Sequence, residues 1–176
     1  EDVQQSLGDN EIAVEFCYAP HWAKYPEIQR YYGAFVLRKD FDYPKLISLE
    51  KVSSVDEVVE SISSDELFIN ELYSSDQATF MYNMLWKKIS PYLSGIKTIY
   101  YSPTGSLYNI NFDVLRGEDG QMLHDKYNMI RVSSTGNIGE IKSLANERFN
   151  SCVLYGNITW EETTAEMADA SSAYKI

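Results

Sequence analysis

From Ile12 to Tyr18 apolar side chains stand at every second position, Ile12, Val14, Phe16 and Tyr18, whereas Val55, Val58, Val59 and Ile62 keep the i, i+3, i+4, i+7 spacing of one helix face. A chain that changes period in this way, with no low-complexity linker to divide it, reads as one α/β unit. Its 176 residues suit one domain of ordinary size, and 44% hydrophobic with 14% aromatic content excludes global disorder.

The first strand is expected over Ile12–Tyr18 and to end at Pro20. After a polar, Tyr-rich loop, Tyr32–Leu37 and Leu46–Leu49 read as two more strands across a turn at Lys39–Pro44, forming an antiparallel meander. Ser54 with Glu57 forms a capping box for a short helix that Ser63-Ser64-Asp65 ends. A second box, Ser74 with Gln77, opens a longer helix with the stripe Ala78, Met81, Tyr82, Leu85, Ile89 and Tyr92, closed by Pro91 and Gly95.

Ile96–Ser102 is β-branched and aromatic and stops at Pro103-Thr104-Gly105, so strand, tight turn and a short strand over Ser106–Ile110 are expected. Asp119-Gly120 marks a turn, Tyr127–Val132 a strand, Ser133-Ser134-Thr135 the cap of a helix over Ile138–Ala145, and Ser151–Tyr155 a last strand. Residues 1–10 read as a linker from an upstream region, 11–158 as the folded part, and 159–176 as a polar tail or the start of a missing half.

Charge narrows the partners. Against 26 Asp and Glu stand 15 Lys and Arg, a formal net charge of −11, which opposes binding to nucleic acid or an anionic membrane. No run approaches a transmembrane span, and a first residue that is Glu rather than Met fits a chain processed or cut from a longer parent. Two distant cysteines, Cys17 and Cys152, form no disulfide framework or zinc pattern and are compatible with the cytoplasm, the compartment expected.

The residues offer no catalytic, cofactor-binding or metal set. His21, expected in a loop beside Trp22, and His124, expected between the Asp119-Gly120 turn and the next strand, have no ligand spacing. Cys17 and Cys152 lie within strands, the setting of a packed thiol, and Pro20 argues against the helix that would pair Cys17 with His21. Asp40 with Asp42, Glu118 with Asp119 and Glu161 with Glu162 read as solvated charge. Gly136-Asn137-Ile138-Gly139 precedes a helix but lacks the Lys of a phosphate loop, so capping explains it better than an anion site. The tyrosines Tyr25, Tyr31, Tyr32, Tyr43, Tyr100, Tyr101 and Tyr108 lack basic neighbours for nucleic-acid stacking and read as core with hydroxyls at the rim.

Several segments in order carry a further signal. Asn10–Phe16 is similar to an opening strand written AAIEF; Tyr32–Leu37 and Leu85-Trp86-Lys87-Lys88-Ile89 before Leu93 follow. Tyr101–Leu115 is similar to a hairpin motif SPDGxLxxIPFEAL, with Thr104 for Asp and Asn111 for Pro. Leu123, Tyr127, Ile130 and Ser133-Ser134-Thr135 look like LxxxYxIxxxSS, with Ile130 one place after the motif's Ile, and Leu154–Ile158 resembles a strand read as YGGI. Together, from about Asn10 to Ile158, the series resembles the CHAT family, the caspase-like domains associated with TPR repeats.

The resemblance implies a caspase-like half-domain: a mixed sheet with flanking helices and the antiparallel meander at its N-terminal side, the pseudo-caspase half of a cysteine endopeptidase. The family's His-Cys dyad sits in the other half, in ATHG-like and SACETG-like motifs, and neither string occurs between Glu1 and Ile176. No catalytic residue carries over, and the chain by itself is expected to be inactive. The partners implied are the missing catalytic half and upstream TPR repeats or another protein, with self-association through an exposed sheet edge. Two further classes stand beside this one: a self-sufficient module that binds a peptide by strand addition, and, more weakly, a small-molecule enzyme using acidic residues.

Overall fold

The computed structural model describes residues 2–21, 29–62 and 75–145. In chain order it contains helix α1 (Asp2–Ser6), strands β1 (Glu11–His21), β2 (Gln29–Arg38) and β3 (Lys45–Lys51), and helices α2 (Val52–Ile62) and α3 (Ser75–Leu85). Strand β4 (Thr98–Ser102), helix α4 (Leu123–Lys126), strand β5 (Asn128–Arg131) and helix α5 (Ile138–Ala145) complete it. The strands form one five-stranded mixed sheet of order β3-β2-β1-β4-β5. Antiparallel pairing joins β1, β2 and β3, and parallel pairing joins β1 to β4 and β4 to β5. The protein is α/β with the expected meander and flanking helices.

Alternation along each strand gives the sheet two different faces. One carries Ile12, Val14 and Phe16 of β1, Tyr32, Ala34 and Val36 of β2, and Ile99 and Tyr101 of β4, packed on Val55 and Val59 of α2 and Met81 and Leu85 of α3. Trp86 and Phe112 fill its centre, with ring centroids 5.7 Å apart, and Phe16 lies 5.0 Å from Phe112. Each such side chain withdrawn from water contributes about 1.5–3 kcal/mol, so this face dominates stability. On the other face Ala13 and Tyr100 meet Leu7, Val132 and Ile138, which brings α1 and α5 onto the β1–β4 part of the sheet.

Several elements depart from the sequence reading. The opening residues, read as a linker, take part in the fold: Leu7 is buried, and Gln4 donates to the carbonyls of Arg38 and Lys39 at 3.2 Å each. Strand β1 runs through Pro20 to His21, with Pro20 opposite Arg30. Pairing to β4 stops at Glu15–Ser102, so beyond it β1 has, among the described residues, a neighbour on one side only, and a missing N–H is tolerated there.

Helix α2 begins at Val52 directly after β3, two residues before the expected cap, because half-buried Val52 already packs on the core. Ser54 therefore lies inside the helix. The Ser63–Asp65 stop and the Ser74 half of the second box lie outside the described residues. Helix α3 ends at Leu85, earlier than the apolar stripe, and Ile89 reaches the core through a turn and a 3-10 segment over Ser90–Tyr92. Pro91 is the reason: its ring would strike the carbonyl of Lys87 in a continued helix.

The short strand expected after Pro103 is instead a pair of 3-10 segments, Gly105–Asn109 and Phe112–Val114. Strand β4 already has parallel neighbours on both sides, so no edge is left for an antiparallel return. Gly105, at φ +54°, starts the turn away from the sheet. The Asp119-Gly120 turn forms as expected: Gly120 N–H donates to Gly117 at 2.9 Å, and Arg116 bridges Met122. Strand β5 and helix α5 stand where they were read, whereas Ser151–Tyr155 and the tail lie outside the described residues.

Candidate functional site

The Cys17 thiol lies in mid-β1 and the His124 imidazole on α4, where its partners are Asp113 and Asp125. Cys17 is a free, half-buried thiol in mid-β1, opposite Gly33, and burial, with the nearby Glu15 carboxylate, pushes its pKa up. A thiol held protonated is a poor nucleophile. His21 is the last residue of β1, paired through its backbone with Gln29, rather than part of the following loop. His124 lies on α4, ahead of β5 as expected, with Nδ1 2.9 Å from the Asp113 carbonyl oxygen and Nε2 3.5 Å from Asp125. Cys152, Tyr25, Glu161 and Glu162 lie outside the described residues.

The other candidates resolve into packing and surface pairs. Asp40 accepts from Arg38 at 3.0 Å, Glu118 pairs with Lys87, and Asp119 pairs with Lys126. Tyr100 and Tyr101 are buried, with hydroxyls directed to Glu11 and Asp113. The turn before α5 holds an anion from the chain itself: Glu15 accepts from the Thr135 N–H at 2.7 Å and from its hydroxyl at 2.6 Å. That carboxylate takes the donors a ligand would need, and Ser134 caps Gly136 at 3.2 Å beside it. Among the described residues no group of three or more His, Cys, Asp or Glu is set to hold a metal, and no helix is long and apolar enough to cross a membrane.

What distinguishes the surface is the contrast between the two ends of the sheet. At the β3 end, Lys88 donates to the carbonyls of Ser48 and Leu49 at 3.1 and 3.3 Å, and β3 begins and ends on Lys45 and Lys51. Lysines of this kind discourage pairing with another chain. At the β5 end, Asn128 N–H donates to Lys97 at 2.8 Å and Val132 N–H to Tyr101 at 2.9 Å. Peptide groups alternate sides along a strand, so those of Met129 and Arg131 face away from β4. Among the described residues β5 pairs with β4 alone.

Beside this edge opens a cleft of about 470 Å³ lined by Asp113, His124, Asp125, Lys126, Tyr127, Asn128 and Met129. Asp113 accepts from the Tyr101 hydroxyl at 3.2 Å, and burial together with that carboxylate drives the Tyr101 pKa well above the usual phenol range. One oxygen of Asp125 caps the Met122 N–H at 2.9 Å. The cation in the lining, Lys126, is engaged by Asp119. Sequence reading missed this site, because Asp113 and Asp125 follow no recognisable spacing and come to line one cleft only once the 3-10 segment Phe112–Val114 and α4 have folded. No protein-family model matches the chain, and no curated protein matches it with significance.

Proposed function

We propose that the chain is the non-catalytic, pseudo-caspase half of a CHAT-type cysteine endopeptidase, cytoplasmic, with a structural and regulatory role. It would pack its sheet beside a catalytic half and pass on the state of an upstream region such as TPR repeats. The ordered motif series from Asn10 to Ile158 motivates this reading, and the observation that carries it is the asymmetry of the sheet. Lys88 binds β3 carbonyls at one end, whereas at the other, among the described residues, the backbone groups of Met129 and Arg131 face away from β4 and pair with no strand. A sheet meant to be extended at one end alone has this form.

The sequence of the parent reading frame tests the proposal. Continuation past Ile176 into a His-Gly motif and a later Cys motif supports it, and a stop codon there defeats it. On the purified chain, peptide hydrolysis is expected to be absent. Thiol-dependent turnover lost on Cys17→Ala or Cys152→Ala would equally defeat the assignment. The β5 edge, which among the described residues pairs with β4 alone, also favours a second reading, a stand-alone module that binds an extended peptide there.

A further inference from the structure

We infer that β5 takes up an extended segment of a partner polypeptide that carries a lysine or arginine, and that this side chain enters the cleft formed by Asp113, His124 and Asp125. The inference rests on reading β5 as the docking end of the sheet, and it adds the chemistry of what docks. A strand laid along β5 would be held by the backbone groups of Met129 and Arg131. Cross-strand neighbours share a face of the sheet. Met129 packs on the helix-covered face and lines the cleft, so the residue opposite it would place its side chain over Asp113 and Asp125.

Charge selects the side chain. Both carboxylates retain acceptor capacity beyond the contacts they make: one oxygen of Asp113 faces Tyr101, while in Asp125 one oxygen caps Met122 and the other lies 3.5 Å from His124 Nε2, each oxygen carrying two lone pairs. Of the nearby cations, Lys126 is held by Asp119, and Arg131 donates to the Tyr108 carbonyl at 3.1 Å and lies over the Tyr108 ring, so among the described residues neither forms an ion pair with Asp113 or Asp125. The whole chain carries −11, which steers a cationic segment inward and repels an acidic one.

The same features disfavour another occupant. A second copy would bring another −11 against an edge strand of four residues, Asn128–Arg131, too short by itself for a stable interface.

The test uses the full 176-residue chain and, as probe, a blocked octapeptide of alternating Thr and Val with one central Arg. Amide exchange at Met129 and Arg131 and fluorescence anisotropy of labelled peptide are the readouts. The expected result is saturable binding that slows exchange at both amides. Affinity should fall about tenfold when Glu replaces the Arg. It should vanish on N-methylation of the peptide amides facing β5, a change that keeps the charge and so controls for non-specific attraction. Asp125→Asn, which keeps the cap to Met122, should weaken the Arg peptide several-fold and, by relieving like-charge repulsion, should not weaken the Glu peptide.

Equal affinities for the Arg and Glu peptides, or no slowing at about 1 mM peptide, would overturn the inference. So would protection of Met129 and Arg131 before peptide is added: independent of concentration, it would mean that the chain covers its own edge, and rising with concentration, that a second copy does. A stop codon after Ile176 would defeat the CHAT reading and leave these results untouched, and failure of the peptide to bind would leave the parentage untouched.

Discussion

A single oxygen of Glu15 binds Thr135 twice, accepting from its N–H at 2.7 Å and its hydroxyl at 2.6 Å, across 120 residues of sequence. The contact ties the middle of β1 to the turn between β5 and α5. Glu15→Ala leaves a part-buried N–H without its acceptor and is expected to cost about 2 kcal/mol in urea unfolding, with Glu15→Gln intermediate and Thr135→Val about 1 kcal/mol. A loss for Glu15→Ala within about 0.5 kcal/mol would show that the turn holds without it.

Gly105 has no room for a side chain, because a Cβ there falls on the hydroxyl of Tyr18, and its φ is +54°. The Tyr32 hydroxyl, which accepts from the Ser106 N–H at 3.3 Å, lines the same space. Gly105→Ala is expected to lose about 2–4 kcal/mol by combining overpacking with left-handed backbone cost. In a Tyr18→Ala background the added loss should shrink to about 1–2 kcal/mol, the backbone part alone. Additive losses in the double-mutant cycle would mean that the two residues do not compete for this space.

Glu11 makes stability depend on acid. Burial pulls its carboxyl pKa upward, but the Lys142 hydrogen bond, the Gly8 N–H at 2.6 Å and the Lys142 charge together hold it below its usual 4.5. The folded state therefore binds this proton more weakly than the unfolded chain. The stabilisation is complete above about pH 4.5 and is lost as pH falls from there through the lower folded value. Glu11→Gln should flatten this part of the pH–stability curve. Because Lys142 also donates to the Ser6 carbonyl, at 2.6 Å, exchange of the Leu7 amide should quicken over the same range. A curve of unchanged slope in the variant would remove Glu11 from the account.

The architecture was legible where burial repeats with a fixed period. Ile12, Val14 and Phe16, and Val55 with Val59, announce their elements because each packs on one continuous core. The segment after Pro103 was misread, because Leu107, Ile110 and Phe112 satisfy the core through 3-10 turns. Whether a chain returns as a strand depends on whether β4 has a free edge, which no local sequence records. For the same reason the Asp113–Asp125 cleft was invisible: two acidic residues twelve positions apart line one cleft through tertiary packing. The inward-facing Glu15 was masked by the ordinary polar alternation of a half-buried strand.

Cys17 gives a direct check on thiol chemistry. Desolvation, with Glu15 nearby, raises its pKa above the usual 9.0, so the thiolate fraction at neutral pH is depressed. Alkylation by iodoacetamide, read by tryptic mass mapping at the Cys17 peptide, should be slower in the folded chain than in denaturant at the same pH. Glu15→Gln should speed it modestly by removing the neighbouring charge. Labelling in the native chain as fast as in the unfolded one would identify an open, ionised thiol and would revive a nucleophilic role for β1.

The protected end of the sheet supplies the converse of the open one. Lys88 binds two carbonyls of β3, and an ammonium there makes it costly for another strand to approach. Lys88→Met keeps the stem and removes the charge, so the fold should survive with a stability change within about 1 kcal/mol. Self-association should nevertheless rise with concentration in light scattering, and the β3 amides should become protected as it does. Lys88→Arg should behave as the native chain, since it restores a cationic donor. If Lys88→Met stays monomeric at the highest soluble concentration, the difference between the two ends lies in the flanking Lys45 and Lys51, and the triple substitution should then release β3 for pairing.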